Sequence, residues 1–288
     1  MPVLEVVEYT DPACPWAWGS EPKFRLLRLV TEPLGARWRR VFGILFDRDD
    51  ELPPDPDAEA AWYAGFIADI SRHTGAPHAE KLAWVARTSW PASMAAKAAE
   101  AQGDVLADQV LRRLRETTFV SGRPADDVHS VLSAVACLPG LDVPRLAREL
   151  PHQEHAVEQD WTETRTPCDE VRHLEAPGPH SGRAKEVNGR LRYALPTLIF
   201  RGTQGERVVP GWRPFAEYAG TVEAVTGETL PRVRLTADEA LRRYGSLTVL
   251  EIELLTGAKK PPNQAVSVPT GNGPLWIDPD LWDAGYGN

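Results

Sequence analysis

Cysteine is scarce in this chain, with three among 288 residues. An odd and small number gives no sign of a disulfide framework. Long apolar runs are missing too, and no stretch approaches the roughly 18 residues needed to cross a bilayer. The first strand-like run opens at Val3, which leaves no room ahead of it for a secretory leader. Basic residues are outnumbered: 32 Lys and Arg against 41 Asp and Glu give a formal net charge of −9. That balance argues against a nucleic-acid partner and against an anionic membrane surface. These absences predict a cytoplasmic protein without a membrane partner. Thiols are kept reduced there, so a reactive cysteine is expected to reduce or sense disulfides rather than install them. The length permits a full core, and one compact body with an inserted helical lobe is more natural than two independent domains.

What is present starts at Asp11-Pro12-Ala13-Cys14-Pro15-Trp16-Ala17-Trp18. Val3 to Tyr9 alternates as a strand, and Phe24, Leu26, Leu27, Leu29 and Val30 supply the apolar face of a following helix. Cys14 then falls at a helix N-terminus, where unpaired N–H groups and the helix dipole favour a thiolate and lower a cysteine pKa from about 8.5 to as little as ~3.5 to 7.5. Far downstream, Ala194-Leu195-Pro196-Thr197-Leu198-Ile199-Phe200 reads as a buried strand entered through a proline. A cis bond at Pro196 would hold an extended backbone edge towards the cysteine, open to a peptide or thiol ligand. A turn at 202–206, a strand at 207–210 and a helix over 214–225 follow. The predicted order is βαβ, a long insertion, then ββα, an α/β fold.

Together the Asp-Pro-x-Cys-Pro-Trp turn, the Leu195-Pro196-Thr197 strand entry and the helical insertion resemble the DsbA-like branch of the thioredoxin superfamily, including the FrnE-type predicted dithiol-disulfide isomerases. The insertion adds a second likeness. Thr88 to Ala99, with Gln102-Gly103 and Leu111 to Glu116, is similar to the group containing the SpxH (YjbH) protease adaptors. The resemblance spans roughly residues 3 to 226. It implies a discontinuous thioredoxin-like domain over 1–50 and 190–227, an inserted helical domain over 57–165, and C-terminal helices with a tail over 235–288. It also implies a thiol site at Cys14, with Pro15, Trp16, Trp18, Leu195, Pro196 and Thr197 as substrate contacts and Asp11 tuning the thiol.

Dithiol oxidoreductases carry Cys-x-x-Cys, in which the second thiol resolves the mixed disulfide made by the first. Here the motif is Cys-Pro-Trp-Ala, with Ala17 in the resolving place. Three functions remain open. Cys14 could be a monothiol nucleophile exchanging with protein or small-thiol disulfides; no tightly bound cofactor is expected, only a low-molecular-weight thiol as co-substrate. The scaffold could serve a small-thiol transferase or isomerase like the kappa-class glutathione transferases, although those related families place serine where Cys14 stands. It could instead be a protein-binding adaptor with Cys14 as a redox sensor. Beside all three stands the plain alternative that a lone cysteine is a small buried hydrophobe.

Cys137, in the helical run Ser130 to Leu138, is expected in the core. Cys168 lies in the polar turn Thr166-Pro167-Cys168-Asp169-Glu170 and is the more exposed candidate to resolve a disulfide, though its acidic neighbours disfavour a thiolate. His152 and His155, with Cys168 and His173, repeat no zinc-site spacing, so no metal is expected.

The insertion follows the acidic, proline-rich link 47–56. Trp62, Phe66 and Ile70, four apart on a predicted helix over 58–71, are expected to pack as core, or for some of them to roof the Cys14 cleft. Further helices are predicted over 91–102, 105–117, 126–138 and 143–150. Thr236-x-x-Glu239 and Thr248-x-x-Glu251 have capping-box form, with Gly245 and Gly257 as stops. A DNA-reading pair is disfavoured by Glu251 and Glu253 in the second helix, where a basic reader would be needed. The Pro- and Gly-rich remainder reads as a loop-like tail. Its Leu275, Trp276, Ile277, Leu281 and Trp282 must dock on this subunit or on a second copy, which would make a homodimer.

Overall fold

The first strand, β1 (Leu4–Thr10), is apolar on both faces, as a central strand must be. Leu4 and Val6 pack on one side, Val7 and Tyr9 on the other. A computed structural model describes residues 3–51, 53–175 and 178–287. After β1 come α1 (Pro15–Thr31) and β2 (Arg37–Phe42). Pro15 takes the first helical position, where its missing N–H costs nothing. β2 lies parallel to β1, with Tyr9 opposite Val41, and α1 is the crossover that a parallel pair requires.

Seven helices follow: α2 (Pro56–Thr74), α3 (Trp90–Ala99), α4 (Asp104–Phe119), α5 (Val128–Val135), α6 (Val143–Glu149), α7 (Glu154–Thr164) and the single turn α8 (Asp169–Arg172). The chain returns through a hairpin of β3 (Lys185–Val187) and β4 (Arg190–Arg192), closed by Asn188 and Gly189, both at positive φ. Asn-Gly is the pair such a tight hairpin turn demands. β5 (Thr197–Gly202), β6 (Gly205–Pro210) and α9 (Phe215–Thr226) complete the sheet layer, in strand order β2-β1-β5-β6. β5 is antiparallel to both neighbours, and its register sets Thr197 opposite Tyr9. That register brings the end of β1, which leads to Cys14, beside the entry to β5.

One face of the sheet packs Leu4, Val6, Leu198 and Phe200 against Phe24 and Leu27 of α1 and Tyr218 and Val222 of α9. Each such side chain contributes about 1.5–3 kcal/mol when fully buried. The other face holds Val7, Tyr9, Val41 and Ile199 with Cys14 and Ala17. The inserted helices have a separate core of Ala95, Leu111, Leu114, Val131 and Leu146, which Phe42 and Ile44 join from the sheet side.

Two expectations need correction. The Pro- and Gly-rich tail is not loop-like: after α10 (Ala237–Tyr244), a three-stranded sheet forms from β7 (Ser246–Thr248), β8 (Val266–Val268) and β9 (Leu275–Ile277), with α11 (Val249–Thr256) following β7. Leu275, Ile277 and Leu281 are buried in this chain's own helical core, so the tail gives no argument for a second copy. The row Trp62, Phe66, Ile70 is core only at Ile70; Trp62 is 62% exposed and Phe66 39%, because α2 packs through Tyr63 and Ile67 instead.

Several charged side chains are buried inside the fold. Glu251 is fully buried and accepts N–H groups from Arg25 at 2.9 Å and from both terminal nitrogens of Arg112 at 3.1 Å. Glu21 pairs with Arg115, and Glu8 with Arg28 at 2.6 Å. The network fastens α1, α4 and α11 to one another.

Candidate active site

Cys14 is the N-cap of α1, in extended conformation (φ −84, ψ 115), and its side chain caps nothing. Its Sγ–H donates to the Leu195 carbonyl at 3.5 Å. The Leu195–Pro196 peptide bond is cis. That same carbonyl accepts from Nε2 of His180 at 3.1 Å, while Nδ1 of His180 accepts the Gly182 N–H at 3.2 Å. These partners select the neutral Nε2–H tautomer. Burial pushes the His180 pKa down to about 4, and Trp16 packs edge-on against the ring at 4.9 Å.

The expectation of an easily formed thiolate is reversed. Burial pushes the Cys14 pKa up to about 11; the Asp11 carboxylate raises it further, while the N–H groups of Ala17 and Trp16 and the Arg192 charge lower it. The helix N-terminus acts in the predicted direction, yet desolvation outweighs it because the thiol is only 4% exposed. Asp11 is buried beneath the turn. Its carboxylate accepts from Ala13 N–H and Leu45 N–H, each at 2.8 Å, and from the Ser89 hydroxyl at 3.0 Å. Burial raises its own pKa against those bonds.

Beside the thiol lies a cavity of about 430 Å³, in the range of small-molecule sites. Cys14, Pro15, Trp16 and Leu195 line it. Pro196 and Thr197 are buried behind it, and the Thr197 hydroxyl donates to the Ala194 carbonyl at 2.6 Å. Trp18, expected as a substrate contact, is not among the residues lining the cavity: it is 1% exposed, stacks on Phe119 at 5.7 Å, and its Nε1–H donates to the Pro77 carbonyl at 2.8 Å. The helical period turns it inward while Trp16 faces the cleft. Cys168 is half-buried and packs in the same apolar cluster as Cys14, with its N–H donating to the Tyr193 hydroxyl at 3.0 Å. Cys137 is buried in the helical core. Among the described residues, no three His, Cys, Asp or Glu side chains gather to hold a metal ion, and no helix is long and apolar enough to cross a membrane.

Phe66 lines the cavity, as one of the two expectations for the α2 aromatics had it, whereas sequence reasoning missed Tyr63 of α2, His180, and Arg192 of β4 among the lining residues. The hairpin carrying Arg192 had a legible signal in Asn188-Gly189. His180 had only its place in a proline- and glycine-rich stretch. Its segment is seated by two glycines in backbone contact. A Cβ on Gly182 (φ +81) would lie 2.4 Å from the Pro210 carbonyl carbon, and one on Gly211 (φ +79) would lie 2.6 Å from the His180 oxygen. Gly182→Ala is expected to cost about 1–3 kcal/mol from φ strain alone and to unseat His180. Thermal unfolding and the His180 NMR resonances check this; an unchanged midpoint and ring environment would refute the packing role.

The sheet order β2-β1-β5-β6, the cis Leu195–Pro196 bond and the turn after β1 give the chain a thioredoxin-like fold with a single cysteine in that turn. No family model matches the chain. Its sequence is 25% identical over 258 residues, 88% of this chain and 77% of the other, to the ClpXP adapter protein SpxH of Shouchella clausii. Among solved structures, a putative protein disulfide isomerase from Nitrosomonas europaea aligns with a TM-score of 0.54 at 12% identity, covering 78% of this chain and 94% of the other. A probable DsbA oxidoreductase from Streptomyces coelicolor aligns with a TM-score of 0.50 at 15% identity, covering 81% and 94%.

Proposed function

We propose that this protein is a monothiol exchange protein: Cys14 forms a mixed disulfide with a partner held in the adjoining cavity and does not resolve it internally. The carrying observation is the Cys14 Sγ in the wall of a ligand-sized cavity, bonded to the carbonyl that precedes Pro196, with a buried alanine at position 17. The Cys14 thiolate attacks one sulfur of R–S–S–R, giving Cys14–S–S–R and releasing R–S⁻, which takes up a proton. A second external thiol then attacks the mixed disulfide and restores Cys14. No cofactor is needed beyond that thiol. With all three cysteines free, we place the protein in a reducing compartment, the cytoplasm.

Incubation with 2-hydroxyethyl disulfide, followed by intact mass and peptide mapping, tests this. A half-disulfide adduct on Cys14, absent in Cys14→Ser and removed by excess 2-mercaptoethanol, is the expected result. No adduct at any pH up to 10 would sink the function.

The similarity to an SpxH adapter favours a second reading, in which the cleft grips a polypeptide and Cys14 only senses oxidation. The stacked, exposed pair Trp62 and Phe66, ring centroids 5.7 Å apart, gives such a partner an aromatic grip beside the cavity. Partner binding that survives Cys14→Ser distinguishes it.

A further inference from the structure

Arg192 is 7% exposed, and its Nε and Nη1 have no hydrogen-bond partner among the described residues. A buried guanidinium with open donors is costly, since its charge has left water without being paired. The side chain lines the Cys14 cavity. Lys185, directly opposite Arg192 in the β3–β4 hairpin, lines it as well. Like charges facing each other across a strand pair are destabilising, so the hairpin concentrates positive charge at this cavity against its own stability.

The rest of the wall does nothing to offset that charge. His180 is neutral, and no Asp or Glu is among the lining residues, although the chain as a whole carries −9. Asp11 acts on Arg192 from beneath the cysteine turn, but its oxygens are occupied by Ala13, Leu45 and Ser89. The apolar part of the wall, Trp16, Phe46, Tyr63 and Phe66, suits the short carbon chain of a ligand whose anionic end meets the guanidinium.

We propose that Arg192, with Lys185 at the rim, is a carboxylate-binding subsite of the Cys14 cavity, which selects low-molecular-weight thiols and disulfides bearing a carboxylate. Arg supplies a planar fork of donors matched to the two carboxylate oxygens, and it stays charged at neutral pH. The proposal rests on the thiol-exchange function above: the bound carboxylate holds one sulfur of the disulfide for attack by Cys14, which forms Cys14–S–S–R and releases R–S⁻.

Two measurements separate the subsite from the exchange. In the first, Cys14→Ser protein, which cannot exchange at this position, is titrated by NMR with 3-(methylthio)propionate and with its methyl ester. Saturable binding of the acid, weakened by about tenfold or more in the ester and by added Arg192→Gln, is expected. Equal binding of acid and ester, or binding indifferent to Arg192→Gln, would overturn the subsite.

In the second, proteins with Cys14 intact react with 3,3′-dithiodipropionate and with the neutral 2-hydroxyethyl disulfide. Arg192→Gln also removes a charge that favours the thiolate, so the readout is the ratio of the anionic to the neutral rate, in which thiolate population cancels. That ratio is expected to fall by about tenfold in Arg192→Gln and less in the exposed Lys185→Gln. An unchanged ratio would overturn the proposed selectivity. Arg192-dependent binding without any Cys14 adduct would keep the subsite and remove the exchange function. Arg192→Gln is expected to fold, with a melting temperature at or above that of the wild type, because it deletes an uncompensated buried charge.

Discussion

Alkylation of Cys14 by iodoacetamide is expected to accelerate about tenfold per pH unit from pH 7 to pH 10, with no plateau near 8.5, where a free thiol levels off. A thiol pushed up to about 11 is thiolate in only about one molecule in ten thousand at pH 7. The rarer thiolate is also more nucleophilic, with a Brønsted slope of about 0.4–0.5, so exchange at neutral pH should be slower than that of free cysteine by only about 20- to 30-fold. Rates at Cys14, followed by peptide mapping so that Cys137 and Cys168 are counted separately, test this. A plateau below pH 8 would mean that the helix N-terminus and Arg192 outweigh burial. The same shift links to stability. Between about pH 9 and pH 11 the folded state keeps a proton that the unfolded chain releases, so the thiol's contribution to stability declines as pH rises through that window.

Glu251→Ala should destabilise the fold by about 3–5 kcal/mol, the cost of removing one partner from a buried ion pair. Glu251 is fully buried and answers Arg25, Arg112 and the Thr248 N–H together, so its loss leaves two buried guanidinium groups with fewer partners, Arg25 with Glu21 at 3.7 Å and Arg112 with Glu116 at 2.7 Å. Denaturant unfolding measures the effect. Arg112→Ala alone should also be costly, whereas the double variant Arg112→Ala/Glu251→Ala should lose less than the sum of the singles. Strict additivity would show that the two side chains do not act as a pair.

Glu251 also shows what a sequence can and cannot disclose. Its capping-box role was legible, because Thr248-x-x-Glu251 is a local pattern and the cap forms as expected. Its partners were not, since Arg112 lies 139 positions away and no local rule relates them. The core expectation for Trp62 and Phe66 failed for a similar reason. A four-residue spacing shows that side chains share a helix face, but not which face the rest of the protein covers.

By itself the sequence determined the βαβ and ββα order of the sheet layer, the two capped C-terminal helices, and the places of a cysteine turn and a proline-entered strand. All of these follow from periodicity, caps and turn residues acting over a few positions. Only the tertiary structure decided what surrounds the thiol. The β1–β5 register put Leu195 against Cys14, the β3–β4 hairpin delivered Arg192, and a glycine-seated loop delivered His180. It also decided the sign of the Cys14 shift. A helix N-terminus can be read from neighbouring residues, but exclusion of water depends on what the whole chain packs over the sulfur.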